Sequence, residues 1–435
     1  RNTRPTPRPE NSDAGDRGCC DRVLSPCDCD SRGCDSHGCV PCGCASCGCG
    51  VCGAAADEPW RLLPQDVGGW KFYGWAAQGI TANSRSPVNP PVGFGNLPTT
   101  FNYRHGQYQL NQLYGVLERE ADNGGCGWAL GGRVDLLYGE DYIFTTAAGL
   151  EARPDGTQRW NEPMGGNGQG INGSSRLGLA MPQVYADVAY SDLHVKIGHF
   201  YTIIGYEVVT ATGNFFYSHA YTMQYGEPFT HTGALATWEM NDAWTVYGGA
   251  VNGWDKFDAV IDRFSFLGGL TWSSCDERTS FTATVITGDE DGTTGAITGN
   301  RTMYSLVLSH QFADRLQYVL QHDLGHQANG VAAGQAAEWY GINQYLFYTV
   351  NDCWKLGMRG EWFNDQNGTR VTNFGGHYYE ITAGLNWTPT NNIALRPEVR
   401  WDWYDPHAAN TPPGPYDNFT ERSQFTAAVD LILQF

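Results

Sequence analysis

The residues best suited to chemistry are the cysteines, which are concentrated near the start of the chain. Residues 1–59 contain 11 of the 14 cysteines and few apolar side chains. One series repeats every five residues: Cys29, Cys34, Cys39, Cys44 and Cys49. A second series with the same interval contains Cys27, Arg32, His37, Cys42, Cys47 and Cys52. The segment therefore carries a C-x-x-C-x repeat in which His37 stands where a cysteine is due.

This repeat is compatible with two kinds of chemistry. Cysteine and histidine replace one another as ligands of soft metal ions, so the position of His37 is typical of a metal site. Dense cysteines in an oxidising compartment instead usually form disulfides. Free or mixed thiols are the third alternative, and the repeat alone does not choose among them.

Other signals for chemistry are weak. The chain contains no G-x-S-x-G, H-E-x-x-H or G-x-x-x-x-G-K motif. The acidic run Asp289-Glu290-Asp291-Gly292 offers oxygen ligands for Ca²⁺ in an outer loop, but an acidic, solvated loop tip is the favoured interpretation. We expect no enzymatic activity and no cofactor.

The composition narrows the classes of protein. The net charge is −19, and no stretch of the sequence has the basic character of a nucleic-acid surface. Gly (55), Tyr (23) and Trp (15) are abundant, while the mean hydropathy is −0.40. No apolar run approaches the roughly 18 residues of a spanning helix. A transmembrane β-barrel fits these values because its outward and inward residues alternate, although a soluble all-β protein fits them too. The start has no apolar targeting segment, so we expect a mature chain.

The last predicted strand favours the transmembrane β-barrel over the soluble all-β protein. From Phe425 to Phe435 every second residue is apolar, and the opposite face carries Thr426, Asp430 and Gln434. This period of two predicts one face toward lipid and one toward a wet lumen. The terminal Phe435 resembles the C-terminal recognition signal of bacterial outer-membrane barrels.

Similar segments recur along the chain and define its topology. We predict about 16 strands, beginning near residues 69, 108, 128, 181, 193, 232, 243, 264, 279, 302, 314, 337, 352, 376, 391 and 422. Connections after even-numbered strands are short, and those after odd-numbered strands are mostly longer. Short periplasmic turns against long external loops are typical of an antiparallel up-and-down transmembrane barrel with both termini in the periplasm. We therefore divide the chain into an irregular Cys-rich periplasmic arm, 1–59, and an all-β barrel, 60–435.

Aromatic residues agree with this topology. Those expected beside the short turns are Trp128, Trp244, Trp272, Trp354, Trp387 and Phe435. Trp prefers the membrane interface, where its ring is buried and its polar edge stays wet. We expect these residues to form a periplasmic girdle.

Strand parity also predicts which charged side chains face the lumen. We expect the following residues to line the pore: Arg133, Asp135, Lys196, Lys355, Arg359, Glu361, Glu380, Arg396, Glu398, Arg400 and Asp402. Opposed rows of charge across a narrow pore would filter ions, whereas the simpler interpretation is a solvated wall of paired charges. The loop 202–231 is a candidate for an inward-folded constriction, with Tyr206, Glu207, His219, Tyr221 and Glu227. Its alternative is an external loop used in subunit contact.

The region 198–233 carries a family resemblance. It contains the segments Gly198–Val209, Asn214–His219 and Tyr225–Gly233. These segments resemble the OmpL-like β-barrel porin-2 family, which is abundant in planctomycete bacteria, and the resemblance extends over about residues 65–435. It implies an outer-membrane porin and nothing about its solute. The Cys-rich arm lies outside the family pattern.

Three further cysteines lie in predicted short turns on the periplasmic side: Cys126, Cys275 and Cys353. Since the arm is expected on the same side, we predict that it is cross-linked to them, with metal binding as the alternative. The predicted protein is a porin for passive diffusion of small hydrophilic solutes or ions in the bacterial outer membrane. We expect lipid contact and a homo-oligomer, which the arm could link by disulfides. The alternatives are a structural barrel cross-linked into an array and a secreted carbohydrate-binding protein.

Overall fold

The computed structural model describes residues 60–62, 67–153, 157–161, 170, 174–258, 263–291, 298–407 and 413–435. Sixteen strands account for most of them. Their bounds are β1 Lys71–Asn83, β2 Tyr108–Arg119, β3 Trp128–Gly139, β4 Gly178–Tyr190, β5 Leu193–Tyr201, β6 Thr230–Asn241, β7 Trp244–Val251, β8 Ser265–Ser273, β9 Thr279–Asp291, β10 Thr298–Ala313, β11 Leu316–Ala332, β12 Gln335–Asn351, β13 Trp354–Asp365, β14 Gly376–Thr390, β15 Ile393–Pro406 and β16 Ser423–Gln434.

These strands form one closed antiparallel barrel. Each strand pairs with its neighbours in the chain, and β1 closes the ring against β16, with Ile80 opposite Val429. Closure leaves no unpaired sheet edge, which is a requirement in hydrocarbon because an unmet backbone group there costs several kcal/mol. The predicted barrel and strand number are confirmed, and every predicted start lies within four residues of the observed one. The Cys-rich arm lies outside the described residues.

The outer wall of the barrel is apolar. In β16, Phe425 and Leu433 are exposed on the outer face, while Thr426, Asp430 and Ile432 are buried on the inner face. Neighbouring strands continue this surface with exposed Met358, Ile381, Val399 and Trp401. Among the described residues no helix has the length and hydropathy needed to cross a membrane.

Exposed aromatic residues collect at both ends of this wall. At the end with the short turns, the ring centres of Trp128 and Tyr190 lie 4.7 Å apart, and Trp354 stacks on Trp387 with ring centres 6.0 Å apart. At the other end of β3 stands the exposed Tyr138. Ten residues of a tilted strand separate Trp128 from Tyr138, or about 25 Å, which matches the apolar band of a barrel.

The two ends of the barrel differ in their connections. Turns after even-numbered strands are short, such as 191–192 and 352–353, and the chain both enters β1 and leaves β16 at this end. We call it the short-turn end. The opposite end carries the long connections 84–107, 140–177, 202–229 and 407–422. One connection departs from this rule, because β11 and β12 are 17 residues each and meet in the tight turn 333–334.

Candidate functional site in the barrel lumen

The connection between β5 and β6, residues 202–229, folds into the lumen. We call it the constriction loop. It contains one turn of 3-10 helix, Ala211–Gly213, and one turn of π-helix, Thr222–Gly226. Its side chains, amides and carbonyls contact β2, β11, β12, β13, β15 and β16, so the loop crosses the barrel instead of projecting outward. The alternative of an external loop used in subunit contact does not describe this position.

Arg359 of β13 is the central attachment point of this loop. Its guanidinium contacts the Glu207 carboxylate at 2.7 Å and the Glu380 carboxylate at 2.5 Å. It also donates to the backbone oxygen of Ser218 at 2.8 Å and stacks over the Phe216 ring. The side chain of Arg359 is fully buried. Because a guanidinium presents five donors in a fixed plane, this one residue can bind two separate positions of the loop, Glu207 and Ser218, together with Glu380 of the wall.

The neighbours of Glu207 keep its buried carboxyl group ionised. Burial alone would raise the pKa of its carboxyl, but Arg359 and His219 hold that pKa well below its usual range. Burial keeps the pKa of His219 low in spite of the carboxylate, so its ring is neutral and Nδ1 donates to Glu207 at 3.0 Å. Tyr345 of β12 donates to the other carboxylate oxygen at 3.0 Å. Glu207 is therefore ionised and fully hydrogen-bonded.

Two carboxylates of the wall accept backbone amides of the loop. Glu361 accepts from Tyr221 and Thr222 at 2.6 Å each, at the start of the π-helical turn. Glu398 accepts from Tyr217 at 2.8 Å and from Ser218 at 3.1 Å. The amides bound by Glu361 stand at the start of the π-helical turn, where they have no partner within the turn itself.

The two arginines of β15 complete the attachment. Arg396 pairs with Asp430 at 2.5 Å and donates to the carbonyl oxygens of Ala211 and Asn214. Arg400 pairs with Asp402 at 2.7 Å and donates to the His219 carbonyl at 2.6 Å.

The wall charges therefore touch the loop directly. The sequence left open either charges opposed across water or a solvated wall of paired charges; the structure has ion pairs, but they are buried and are closed by loop carbonyls.

Among the remaining predicted lumen residues, Lys196 of β5 and Lys355 of β13 lie near the short-turn ends of their strands. Arg133 pairs with Asp135 at 2.7 Å and with Glu118 at 3.3 Å. Arg133, Lys196 and Lys355 are all partly exposed, unlike the arginines at the level of the loop. Lys196 lies over the Tyr185 ring at 5.0 Å. These cations are therefore less completely buried than the arginines that hold the constriction loop.

Glu227, at the end of the loop, contacts a different part of the wall. It accepts from Gln321 at 2.5 Å, and the same amide nitrogen donates to Asp323 at 3.0 Å. Tyr221 donates to Asp402 at 2.7 Å, and the Tyr206 amide donates to Gln321 at 2.9 Å. The five loop residues selected from the sequence thus all lie inside the barrel.

Sequence reasoning missed a second inward segment, the connection 84–107. Phe101 packs on His219 at 4.1 Å, and Thr100 donates to Gln224 of the constriction loop at 2.8 Å. Its Arg104 pairs with buried Glu140 at 2.8 Å. A buried ion pair in a loop is a sign of inward folding, but two whole strands, β2 and β3, separate its members in the chain, so the sequence offers no spacing by which to find it.

The three turn cysteines lie at the short-turn end, where β1 begins. Cys126, Cys275 and Cys353 are in the connections after β2, β8 and β12, respectively. Within the described residues, Cys275 is exposed and has no disulfide partner. The candidate disulfide or metal residues of the arm lie outside the described residues; they are Cys27, Cys29, Cys34, His37, Cys39, Cys42, Cys44, Cys47, Cys49 and Cys52. The described part of the chain contains no group of three His, Cys, Asp or Glu residues placed to hold a metal ion.

Comparisons with known proteins agree with this architecture. A family model described as "Putative beta-barrel porin-2, OmpL-like" matches residues 69–435. No curated protein sequence matches the chain.

Solved structures share the fold at low sequence identity. The outer membrane channel DcaP of Acinetobacter baumannii superposes with a TM-score of 0.54 at 10% identity, covering 87% of this chain and 99% of that one. The anion-selective porin from Comamonas acidovorans gives 0.55 at 10% identity, covering 84% and 99%. OmpT of Vibrio cholerae gives 0.52 at 11% identity, covering 86% and 100%.

Proposed function

The chain belongs to the OmpL-like β-barrel porin-2 family and is an outer-membrane porin, and from this premise we propose that it is a narrow pore restricted to small hydrophilic solutes and ions. The observation that carries this proposal is the constriction loop, which is tied across the lumen by buried pairs such as Arg359 with Glu207 and Glu380. Family and fold indicate a channel rather than an enzyme. We propose further that it has no enzymatic activity.

The ion selectivity of such a pore would be set where charged side chains of the lumen are partly exposed. The partly exposed cations are Arg133, Lys196 and Lys355; Glu118 pairs with Arg133, and Asp187 acts electrostatically on Lys196. The buried arginines at the level of the loop act mainly by holding the constriction in place, because their charges are neutralised by adjacent carboxylates. We therefore propose that the pore radius depends on the arginines of β13 and β15. The preference for ions would depend on the partly exposed charges Arg133, Lys196 and Lys355.

Liposome swelling tests the proposed restriction. Vesicles containing the purified full chain would be diluted into isotonic solutions of arabinose, glucose, sucrose and raffinose, and the initial swelling rate would be compared with that of protein-free vesicles. We expect swelling with the monosaccharides and a steep fall for the larger sugars. Equal rates for glucose and raffinose would contradict a narrow pore, and no swelling above the protein-free rate would contradict a pore for sugars of any size.

We propose that the short-turn end is periplasmic and that the barrel assembles into a homo-oligomer in the lipid bilayer. The orientation is supported by the contrast between short turns and long connections, which in outer-membrane barrels face the periplasm and the exterior, respectively.

The proposed homo-oligomer is supported by the general likeness of the fold to porins, one of which is described as a trimer form of OmpT of Vibrio cholerae. Cross-linking of detergent-extracted protein, followed by mass measurement, would test it.

A structural role for the Cys-rich arm, 1–59, is the second candidate function, favoured by where the chain reaches the barrel. Trp60 exchanges two hydrogen bonds of 2.8 Å with Asn392, in the turn after β14. Thr388, at the end of the same strand, donates to the carbonyl oxygen of Cys353 at 2.9 Å. Cys52 precedes Trp60 by eight residues, a span of at most about 28 Å. We propose that the arm is disulfide-linked to Cys353, within one subunit or between neighbours in an array.

Electrophoresis of the native protein with and without reductant separates these possibilities. Bands of several subunits that collapse on reduction would support an array, and a monomer with altered mobility would support a link within one chain. If mass spectrometry instead finds the arm thiols alkylatable and about one equivalent of zinc bound, the metal alternative replaces the disulfide.

A further inference from the structure

Two tryptophans and two arginines form a cluster inside the barrel, on the long-loop side of the constriction loop. We call it the Arg–Trp cluster; it consists of Trp254, Arg301, Trp339 and Arg370. Trp254 follows β7, Arg301 is on β10, Trp339 is on β12, and Arg370 lies between β13 and β14. The rings of Trp254 and Trp339 meet edge to face with centres 6.0 Å apart.

The guanidinium of Arg370 is held against both rings. Its central carbon lies 4.7 Å from the centre of Trp339 and 5.2 Å from that of Trp254, and Arg301 approaches Trp254 at 4.8 Å. Nε of Arg370 donates to the carbonyl oxygen of Tyr225 at 2.6 Å. Aromatic faces and one carbonyl thus fix the position of the side chain while supplying no negative charge.

Carboxylates near the cluster are already engaged. Glu290 accepts from the Trp254 amide at 2.7 Å and from Lys256 at 2.6 Å. Asp365 accepts the three consecutive amides of residues 369–371. Within the described residues Arg370 forms no ion pair, whereas the other buried arginines of the lumen do. Burial and the neighbouring Arg301 lower the pKa of Arg370 to about 9, which leaves it charged at neutral pH.

The indole N–H of Trp254 is also without an acceptor. Trp254 is 6% exposed, and its Nε1 is buried with no hydrogen-bond partner in the described part of the chain. The matching group of Trp339 donates to the Gly226 carbonyl at 3.0 Å, so the absence of a partner is specific to Trp254. Buried donors are nearly always satisfied in proteins, and one that is not points to a missing acceptor.

We propose that the Arg–Trp cluster is a binding site for the oxyanion group, carboxylate or phosphate, of a small solute. Such a group accepts from the unused guanidinium nitrogens of Arg370 and from the indole N–H of Trp254, and it gives Arg370 a directly bonded anionic partner, which this side chain lacks within the described residues. The site lies beside the carbonyls of Tyr225 and Gly226, so an anion bound there occupies the approach to the constriction loop. The inference rests on the proposed pore in one respect: it takes the anion to be a solute on its way through the lumen.

Calorimetric titration of the full-length protein in detergent tests the site without relying on conductance. Sodium phosphate and sodium acetate are titrated in separate experiments at constant chloride. Saturable binding of either anion is expected, and R370Q should weaken it by about tenfold or more, because a charge-assisted hydrogen bond is removed. W254F keeps the ring and removes only the N–H, so a smaller loss of several-fold is expected. R315Q makes the same charge change in the exposed turn after β10 and should bind as the wild type does.

Several outcomes would overturn the proposal: no saturable binding of phosphate or acetate, unchanged affinity in both R370Q and W254F, or an equal loss in R315Q. If R370Q fails to fold, W254F decides. A bilayer measurement keeps the two proposals distinct. Anion binding without conductance would leave the site standing and refute the pore, whereas conductance without anion binding would do the reverse.

Discussion

Removing Arg359 should loosen the constriction loop and widen the pore. In R359A the carboxylates of Glu207 and Glu380 lose their shared cation while buried, and the Ser218 carbonyl loses a donor. Breaking a buried ion pair by removing one partner costs about 3–5 kcal/mol. At about 1.36 kcal/mol per tenfold, this shifts the docking equilibrium of the loop toward the undocked state by a factor between about 10² and about 5 × 10³. The amides held by Glu361 and Glu398 remain, so the loss should be local.

The assay is single-channel current in planar bilayers, with current noise as the measure of loop motion. We expect R359A to show a larger conductance and more noise than the wild type. E207Q should show a smaller change, because Arg359 keeps Glu380, and R315A, in an exposed turn, should show none. Folding of each variant is checked by its change in gel mobility on heating. A folded R359A barrel with wild-type conductance and noise would refute the argument that this pair holds the constriction.

Two further predictions concern the wall and the arm. V429R places a charge on the lipid face at mid-membrane and should cost about 2–4 kcal/mol of unfolding free energy in urea titrations, whereas L433R, near the interface, should cost about 0–1; equal costs would contradict the assigned depth. C353S should abolish the reductant-sensitive mobility of the arm while C275S leaves it intact, and a wild-type gel pattern in C353S would exclude Cys353 as the attachment point.

The barrel could be predicted from the sequence because its signals are local. Alternation in Phe425–Phe435 assigns each residue to one face, and paired turn residues such as Ser191-Asp192 mark where strands end. The one departure, the tight turn between β11 and β12, arises because the strands continue beyond the band needed to span the membrane. Such an extension carries the same alternation as the rest of the strand, so the pattern does not show where the membrane ends.

The interior of the barrel was less accessible to sequence reasoning. Parity places Arg359 and Arg396 on the inner face, but it does not show whether that face is wet or covered. The covering loops bury these arginines through contacts between residues far apart in the chain, such as Arg359 with Glu207. The Arg–Trp cluster was missed for the same reason, since it draws single residues from four elements. Inward-folding segments carry no periodicity, and their carbonyl contacts involve no particular residue type.

Single-channel conductance of the purified full-length protein in a planar bilayer tests the central claim most directly. A narrow passive pore predicts discrete openings whose current is proportional to voltage, with a conductance that is raised by R359A and unchanged by R315A. Insertion of folded barrels without any current, across the whole voltage range and for both wild type and R359A, would contradict the assignment of this lumen as a pore.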